Sequence, residues 1–225
     1  MDIKTLLGAK ASRLVQSGMV VGLGTGSTAD AFIDALGSRV SEGLQIWAVA
    51  SSVRSRIRAE RAGIPLLGLE LAPRIDLYVD GADEVTPDLV LLKGRGIDLV
   101  VEKLFAQNSG RFVVLVDESK EVDRLGERFP IPVEVWPPAW PWVKRRLEAL
   151  GAKPKLRTGQ DGATVVTAQG NLVLDTRFSE PFRPDEVDRA LNRMAGVVAH
   201  GIFHQLADEV WIGRKGGEID IRLKN

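Results

Sequence analysis

Cysteine is absent from the 225 residues, and histidine occurs only twice. The first absence excludes disulfides, thiol nucleophiles and cysteine-ligated metals. The second leaves His200 and His204 as the only imidazoles for a triad or a metal site, and no nucleophile elbow accompanies them. A strand-like segment, 197–199, runs into His200, and Gly201 separates the two, so a helical pair of metal ligands is not expected. An excess of one charge is lacking as well, because 30 Lys and Arg balance 30 Asp and Glu. A general nucleic-acid or membrane-surface binder carries a basic excess, so any anion bound here must meet a local site. No apolar run reaches the ~18 residues of a membrane span. Met1 to Lys10 lack the apolar stretch of a secretory signal, and the expected location is cytoplasmic. What is present is ordinary for a globular chain: 44% hydrophobic and 27% charged residues.

Short apolar runs alternate with helix-like stretches over the first half. Segments 19–23, 45–50, 75–79, 89–92 and 112–116 read as strands, and 29–36, 52–62 and 99–107 as helices. Continuous apolar strands between helices predict an α/β fold, a mostly parallel sheet with helices on both faces. The character changes near Phe129, where Pro130, Pro132, Pro137, Pro138 and Pro141 cluster, and proline is foreign to central strands. Beyond it, strands at 133–136, 164–167, 171–174 and 197–199 and helices at 141–150 and 184–194 spell β-α-β-β-α-β, a smaller ferredoxin-like α+β unit. Segment 209–212 resumes the first sheet. The expected domains are therefore 1–128 with 200–225, and an inserted 129–199.

Three loops carry residues suited to chemistry. Gly22-Leu23-Gly24-Thr25-Gly26-Ser27-Thr28 joins a strand to a helix, where free N–H groups and hydroxyls meet an anion. No Lys follows the last glycine, so it is no Walker loop, and Ser51 and Ser52 stand where a dinucleotide fold has its ribose-binding acid. A phosphate smaller than a dinucleotide fits best, and a plain tight turn is the alternative. Asp80-Gly81-Ala82-Asp83-Glu84 follows another strand, with carboxylates able to move protons between sugar oxygens or to hold magnesium. Lys93-Gly94-Arg95-Gly96 offers an ammonium and backbone N–H groups to an oxyanion, with Glu102 in the helix that follows. Lys120 occupies a similar place after the strand ending at Asp117. Each of these charges also has a plainer reading as a solvated loop residue. Trp136, Trp140 and Trp142 read as packing or a subunit contact, and Arg54, Arg56, Arg58 and Arg61 as a solvated helix face.

Taken in order, Thr25 to Thr28, Asp80 to Glu84, Lys93 to Gly96 with Glu102-Lys103, Asp117 to Lys120 and Pro130 to Glu134 resemble the motifs of type A ribose-5-phosphate isomerase. The likeness extends over essentially the whole chain. It implies an aldose–ketose isomerase of the non-oxidative pentose phosphate pathway, interconverting ribose 5-phosphate and ribulose 5-phosphate through an enediolate. By position, it implies that Thr25, Gly26, Ser27 and Thr28 hold the phosphate, helped by Lys4. It further implies that Asp80 and Asp83, around Gly81 and Ala82, contact sugar hydroxyls and assist ring opening. Lys93 with the N–H groups of Gly94, Arg95 and Gly96 would stabilise the enediolate, Glu102 would be the base, and Lys120 would line the pocket. No metal or organic cofactor is implied, and the assembly would be a homodimer or homotetramer. The usual loop is Gly-Gly-Gly-Ala-Ala, whereas here it runs Gly94-Arg95-Gly96-Ile97-Asp98, with charged residues at Arg95 and Asp98. Arg95 is expected to point out of the pocket or towards the phosphate mouth, and Asp98 to cap the Glu102 helix.

A second reading is a non-catalytic sugar-phosphate sensor of the same superfamily. Such regulators add a DNA-binding helix-turn-helix, for which nothing before Lys4 leaves room. A third is an amino-sugar-phosphate isomerase or lactonase, which uses different loops.

Overall fold

The computed structural model describes residues 2–72 and 74–224, so the outermost residues of the expected domains, 1 and 225, lie outside it. In chain order it contains α1 (Ile3–Ser12), β1 (Val20–Leu23), α2 (Ser27–Ser41), β2 (Trp47–Ala50), α3 (Val53–Arg61), β3 (Leu77–Asp80), β4 (Glu84–Val85), β5 (Leu91–Leu92), α4 (Leu99–Asn108) and β6 (Phe112–Asp117). There follow β7 (Ile131–Val135), α5 (Trp140–Ala149), β8 (Ala152–Leu156), β9 (Leu172–Phe178), α6 (Pro184–Asn192), β10 (Val197–His200), β11 (Ile202–Phe203), β12 (Glu209–Gly213) and β13 (Ile219–Leu223). Two compact units divide the chain: Met1–Ala82 with Leu104–Lys120 and Gln205–Asn225, and Asp83–Lys103 with Glu121–His204.

The first unit is built on a six-stranded sheet of order β13-β12-β6-β3-β1-β2. All neighbours pair in parallel except β12 and β13, which form an antiparallel edge. Strands β1 and β3 are buried throughout because both faces are covered. Alternation along β3 shows this directly. Leu77 and Val79 enter a core with Leu7, Phe32, Leu36 and Ala59 of the first three helices. Tyr78, facing the other way, stacks on Phe112 and meets Phe105 of α4 edge-on. Arg54 and Arg58 of α3 lie on the solvated helix face, where they are ion-paired with Asp30 of α2. Chain order and sheet order part company at β1, whose successor β2 lies on one side and β3 on the other. The carboxyl ends of β1 and β3 flank this switch point, where open α/β sheets bind ligands.

The second unit contains an antiparallel sheet of order β10-β7-β9-β8 with α5 and α6, the ferredoxin-like arrangement. Val133, Val135, Val143, Leu147, Leu174 and Leu191 form its core. Pro184 opens α6 and Asp185 and Glu186 fill its first turn, as the helix dipole favours. A separate three-stranded sheet, β11-β5-β4, completes the unit.

Several expectations need correcting. Segment 89–92 does not join the parallel sheet, because Leu91 and Leu92 pair antiparallel with β4 and β11. Segment 164–167 forms only isolated bridges, and the strand in its place is β8, with Pro154 tolerated on the sheet edge. Pro132 lies inside the central strand β7. Its carbonyl accepts from Gly201 N–H at 2.8 Å, on the side where β10 has already ended, so no ladder donor is lost. The unit boundaries fall away from 128/129 and 199/200, because β4, β5 and β11 tie 83–103 and 202–204 to the second unit. Among the described residues, no helix is long and apolar enough to cross a membrane.

Candidate active site

The first unit shapes its loop by close approach. Gly24 N–H donates to Val79 O at 2.9 Å, and a Cβ on Gly24 would lie 2.1 Å from Asp80 Oδ1. Only glycine lets the chain pass there. Asp80 is fully buried. Its Oδ1 accepts the N–H groups of Thr25 at 2.9 Å and Gly81 at 2.7 Å, and its Oδ2 accepts the Tyr78 hydroxyl. The Thr25 hydroxyl is bonded to Ser51, Ser52 and Ser55 at 3.0, 2.8 and 3.1 Å, and Ser55 donates to Gly24 O at 2.5 Å. Gly26, at φ 112°, turns the chain into α2. The first-turn N–H groups of Ser27, Thr28 and Ala29 then have no i−4 carbonyl within the helix and present an anion site. Ser27 is exposed and Thr28 buried, and Lys4 Nζ donates to Ser27 Oγ at 2.9 Å. Burial alone would raise the Asp117 carboxyl. Hydrogen bonds from Ser119, with the charges of Lys120 and Lys4, outweigh it and hold the group below the usual carboxylate range. Gly81 and Ala82 follow Asp80, half-buried.

The second unit places an ammonium and a carboxylate together. Lys93 leaves β5 with its N–H donating to Gly201 O at 3.0 Å. Its Nζ lies 3.2 Å from Glu102 Oε2 and 5.7 Å from the centroid of the Phe203 ring. The two side chains are only 4% and 8% exposed. Glu102 stands in the first turn of α4, its N–H donating to Asp98 O at 3.0 Å. Asp98 is buried at the position before that helix. Gly94, at φ 93°, sharpens the turn after Lys93. Asp83 donates its N–H to Leu92 O at 2.8 Å, and its Oδ2 accepts the Arg95 N–H at 3.4 Å. The Arg95 guanidinium lies 3.9 Å from the centroid of the Phe129 ring, and Gly96 is exposed.

Lys103, next in sequence to Glu102, is committed elsewhere. Its Nζ donates to Ile202 O at 2.8 Å and lies 3.2 Å from His200 Nδ1. Burial lowers its pKa to about 7, against an opposing pull from Asp188. Burial, with Lys103 adding to it, pushes His200 well below the ordinary imidazole range. His200 Nε2 lies 3.0 Å from Asn192 Oδ1, so this histidine belongs to a buried network. Among the described residues, no cluster of His, Asp and Glu could hold a metal ion.

In the sequence Ser51 and Ser52 stand out only as the lack of a ribose-binding acid and Ser55 not at all, although three hydroxyls within residues 51–55 at the end of the second strand are a visible signal. Chemically, the first unit offers a preorganised anion site, and the second a buried carboxylate poised against a cation.

The family model of ribose 5-phosphate isomerase A (phosphoriboisomerase A) matches residues 47–217. The chain is 47% identical over 208 residues to ribose-5-phosphate isomerase A of Thermomicrobium roseum, covering 92% of this chain and 88% of the relative. Ribose 5-phosphate isomerase A of Methanocaldococcus jannaschii superposes with a TM-score of 0.92 at 40% identity, covering 99% of both chains. A D-ribose-5-phosphate isomerase in complex with phospho-erythronic acid superposes at 0.93 and 38% identity, covering 99% of this chain and all of that one. With sequence, motif loops and topology in agreement, the chain belongs to the ribose 5-phosphate isomerase A family.

Proposed function

We propose that Glu102 is the base of an aldose–ketose isomerisation between D-ribose 5-phosphate and D-ribulose 5-phosphate, the activity that family membership assigns to this chain. The observation that carries the assignment is the buried Lys93–Glu102 pair at the first turn of α4. With the sugar open, the Glu102 carboxylate takes the C2 proton and the C1 carbonyl oxygen becomes the enediolate oxyanion. The proton on O2 passes to O1, Glu102 returns its proton to C1, and C2 is left as the ketone. Lys93 and the loop amides after it neutralise the oxyanion, where fixed donors act without reorganisation. The N-terminal turn of α2, with Ser27, Thr28 and Lys4, receives the phosphate, and Lys120 adds positive charge on the same unit. Asp80, with both oxygens accepting protein donors, holds the Thr25–Gly26 turn, while Asp83 takes the sugar-hydroxyl contact and ring opening. Arg95 contributes its main-chain N–H, its side chain being engaged with Phe129.

The chain is further inferred to act in the cytoplasm, without a metal or organic cofactor, and as a homodimer or homotetramer. Exposed Trp136, Trp142 and Val198 on the second unit support assembly. A coupled assay with ribose 5-phosphate, run with and without chelator, tests the reading. A chain that binds the sugar phosphate but leaves it unchanged would be a sensor module instead.

A further inference from the structure

One guanidinium gathers the three carbonyls that follow Lys93. Arg157 follows β8, and its main chain is fixed by Arg157 N–H to Val173 O at 2.8 Å and by Val165 N–H to Arg157 O at 3.0 Å. Asp175 of β9 grips the guanidinium at two points, Nε to Oδ2 at 2.9 Å and Nη2 to Oδ1 at 2.6 Å. That fork fixes the plane of the group and leaves Nη1 aimed at the loop. Nη1 donates to Gly94 O at 3.1 Å, Arg95 O at 3.2 Å and Gly96 O at 2.8 Å. The Arg157 side chain is 13% exposed, while its bonds to Arg95 O and Gly96 O lie at the protein surface and that to Gly94 O is partly buried.

The arrangement has a consequence on the opposite side of the loop. No described peptide bond is cis, and in a trans peptide the N–H points opposite to the carbonyl. Three carbonyls drawn to one cation therefore turn the N–H groups of Arg95, Gly96 and Ile97 away from it. The Arg95 N–H meets a carboxylate there, Asp83 Oδ2 at 3.4 Å. A row of N–H groups of this kind is an anion-binding concavity. Glycine at 94 and 96 and an arginine at 95 would leave such a loop free to take many conformations.

We propose that Arg157, anchored by Asp175, is a positioning residue that holds the 94–97 amides in the orientation needed to stabilise the enediolate oxyanion. The proposal rests on the reading of that loop as an oxyanion site. Arg157 acts only through the loop, so its loss should leave phosphate recognition in place.

The test compares the intact protein with Arg157→Gln, Arg157→Lys and Asp175→Asn. Turnover of ribose 5-phosphate is measured together with affinity for two probes. One is 5-phosphoribonate, whose C1 carboxylate carries negative charge where the enediolate does. The other is ribitol 5-phosphate, which has the phosphate and hydroxyls but no such charge. Removing one oxyanion donor typically costs about 10² to 10³ in rate, and a loosened loop loses part of that. Arg157→Gln should lower kcat and 5-phosphoribonate affinity by ~10- to 100-fold, with KM and ribitol 5-phosphate affinity changing less than about threefold. Arg157→Lys and Asp175→Asn should fall between it and the parent. Equal weakening of both probes, or unchanged kcat, overturns the proposal. Should Arg157→Gln fail to fold, the other two variants decide, and parent-like discrimination in both overturns it. A parent protein that binds both probes equally would instead overturn the oxyanion reading of the loop.

Discussion

Replacing Glu102 by Gln separates the catalytic role of the Lys93–Glu102 pair from its structural one. The pair is closed at 3.2 Å with both side chains nearly excluded from water. At that separation and an effective dielectric of about 20, the attraction is about 5 kcal/mol, against which both desolvation penalties stand. Removing one partner leaves Lys93 buried without its carboxylate, which costs ~3–5 kcal/mol unless the lysine sheds its proton. For a chain of this size each kcal/mol moves the melting temperature by about 2–4 °C, so a fall of roughly 6–20 °C is expected. Turnover of ribose 5-phosphate should drop by about 10² to 10⁴ through loss of the positioned base. The double variant Lys93→Met with Glu102→Gln removes both buried charges, so it should recover much of the melting temperature and none of the activity. The measurements are circular-dichroism melts and a coupled ribulose 5-phosphate assay at a temperature where all variants are folded. A folded Glu102→Gln protein with turnover within a few-fold of the parent would remove Glu102 from the mechanism. An unchanged melting temperature would refute the argument from burial.

Three further outcomes follow from the same geometry. Lys103 keeps its proton up to 10.5 in the unfolded chain but loses it near 7 when folded, so the folded state binds fewer protons between these values and stability rises with pH across that window. Urea unfolding should show a gain of roughly 2–3 kcal/mol from pH 7 to pH 9, absent in Lys103→Met; a flat profile in the parent would contradict the assignment. Gly24→Ala drives a methyl into Asp80 and should raise KM for ribose 5-phosphate more than about tenfold, and a parent-like KM would show that the loop does not bind the phosphate. Exhaustive chelation should leave turnover unchanged, whereas loss with rescue by magnesium would make the aspartates ligands.

Features legible in the sequence were those set by local backbone physics. A glycine-rich turn between an apolar run and a helix must expose N–H groups, and Gly24 and Gly26 do so at the end of β1. Helix α6 was readable from Pro184 and the acids behind it. Strands β1, β3 and β6 were readable because burial on both faces leaves no polar interruption.

What stayed hidden depended on pairing between distant segments. Strand β8 reads Ala-Lys-Pro-Lys-Leu, too polar to recognise, yet it forms because β9 supplies its partner. Pro132 looked like a strand breaker until β10 ended opposite it. Two-residue strands such as β4 and β5 carry no period at all. The same holds for the site. Glycine, aspartate and lysine at the ends of apolar runs announced themselves. Ser55, Arg157 and Asp175 did not, nor did the role of Ser51 and Ser52 toward Thr25, because a hydroxyl or guanidinium shows its purpose only through the atoms that folding brings to it. The backbone responds to its own neighbours in sequence, whereas a buried polar side chain answers to whichever remote donor or acceptor satisfies it.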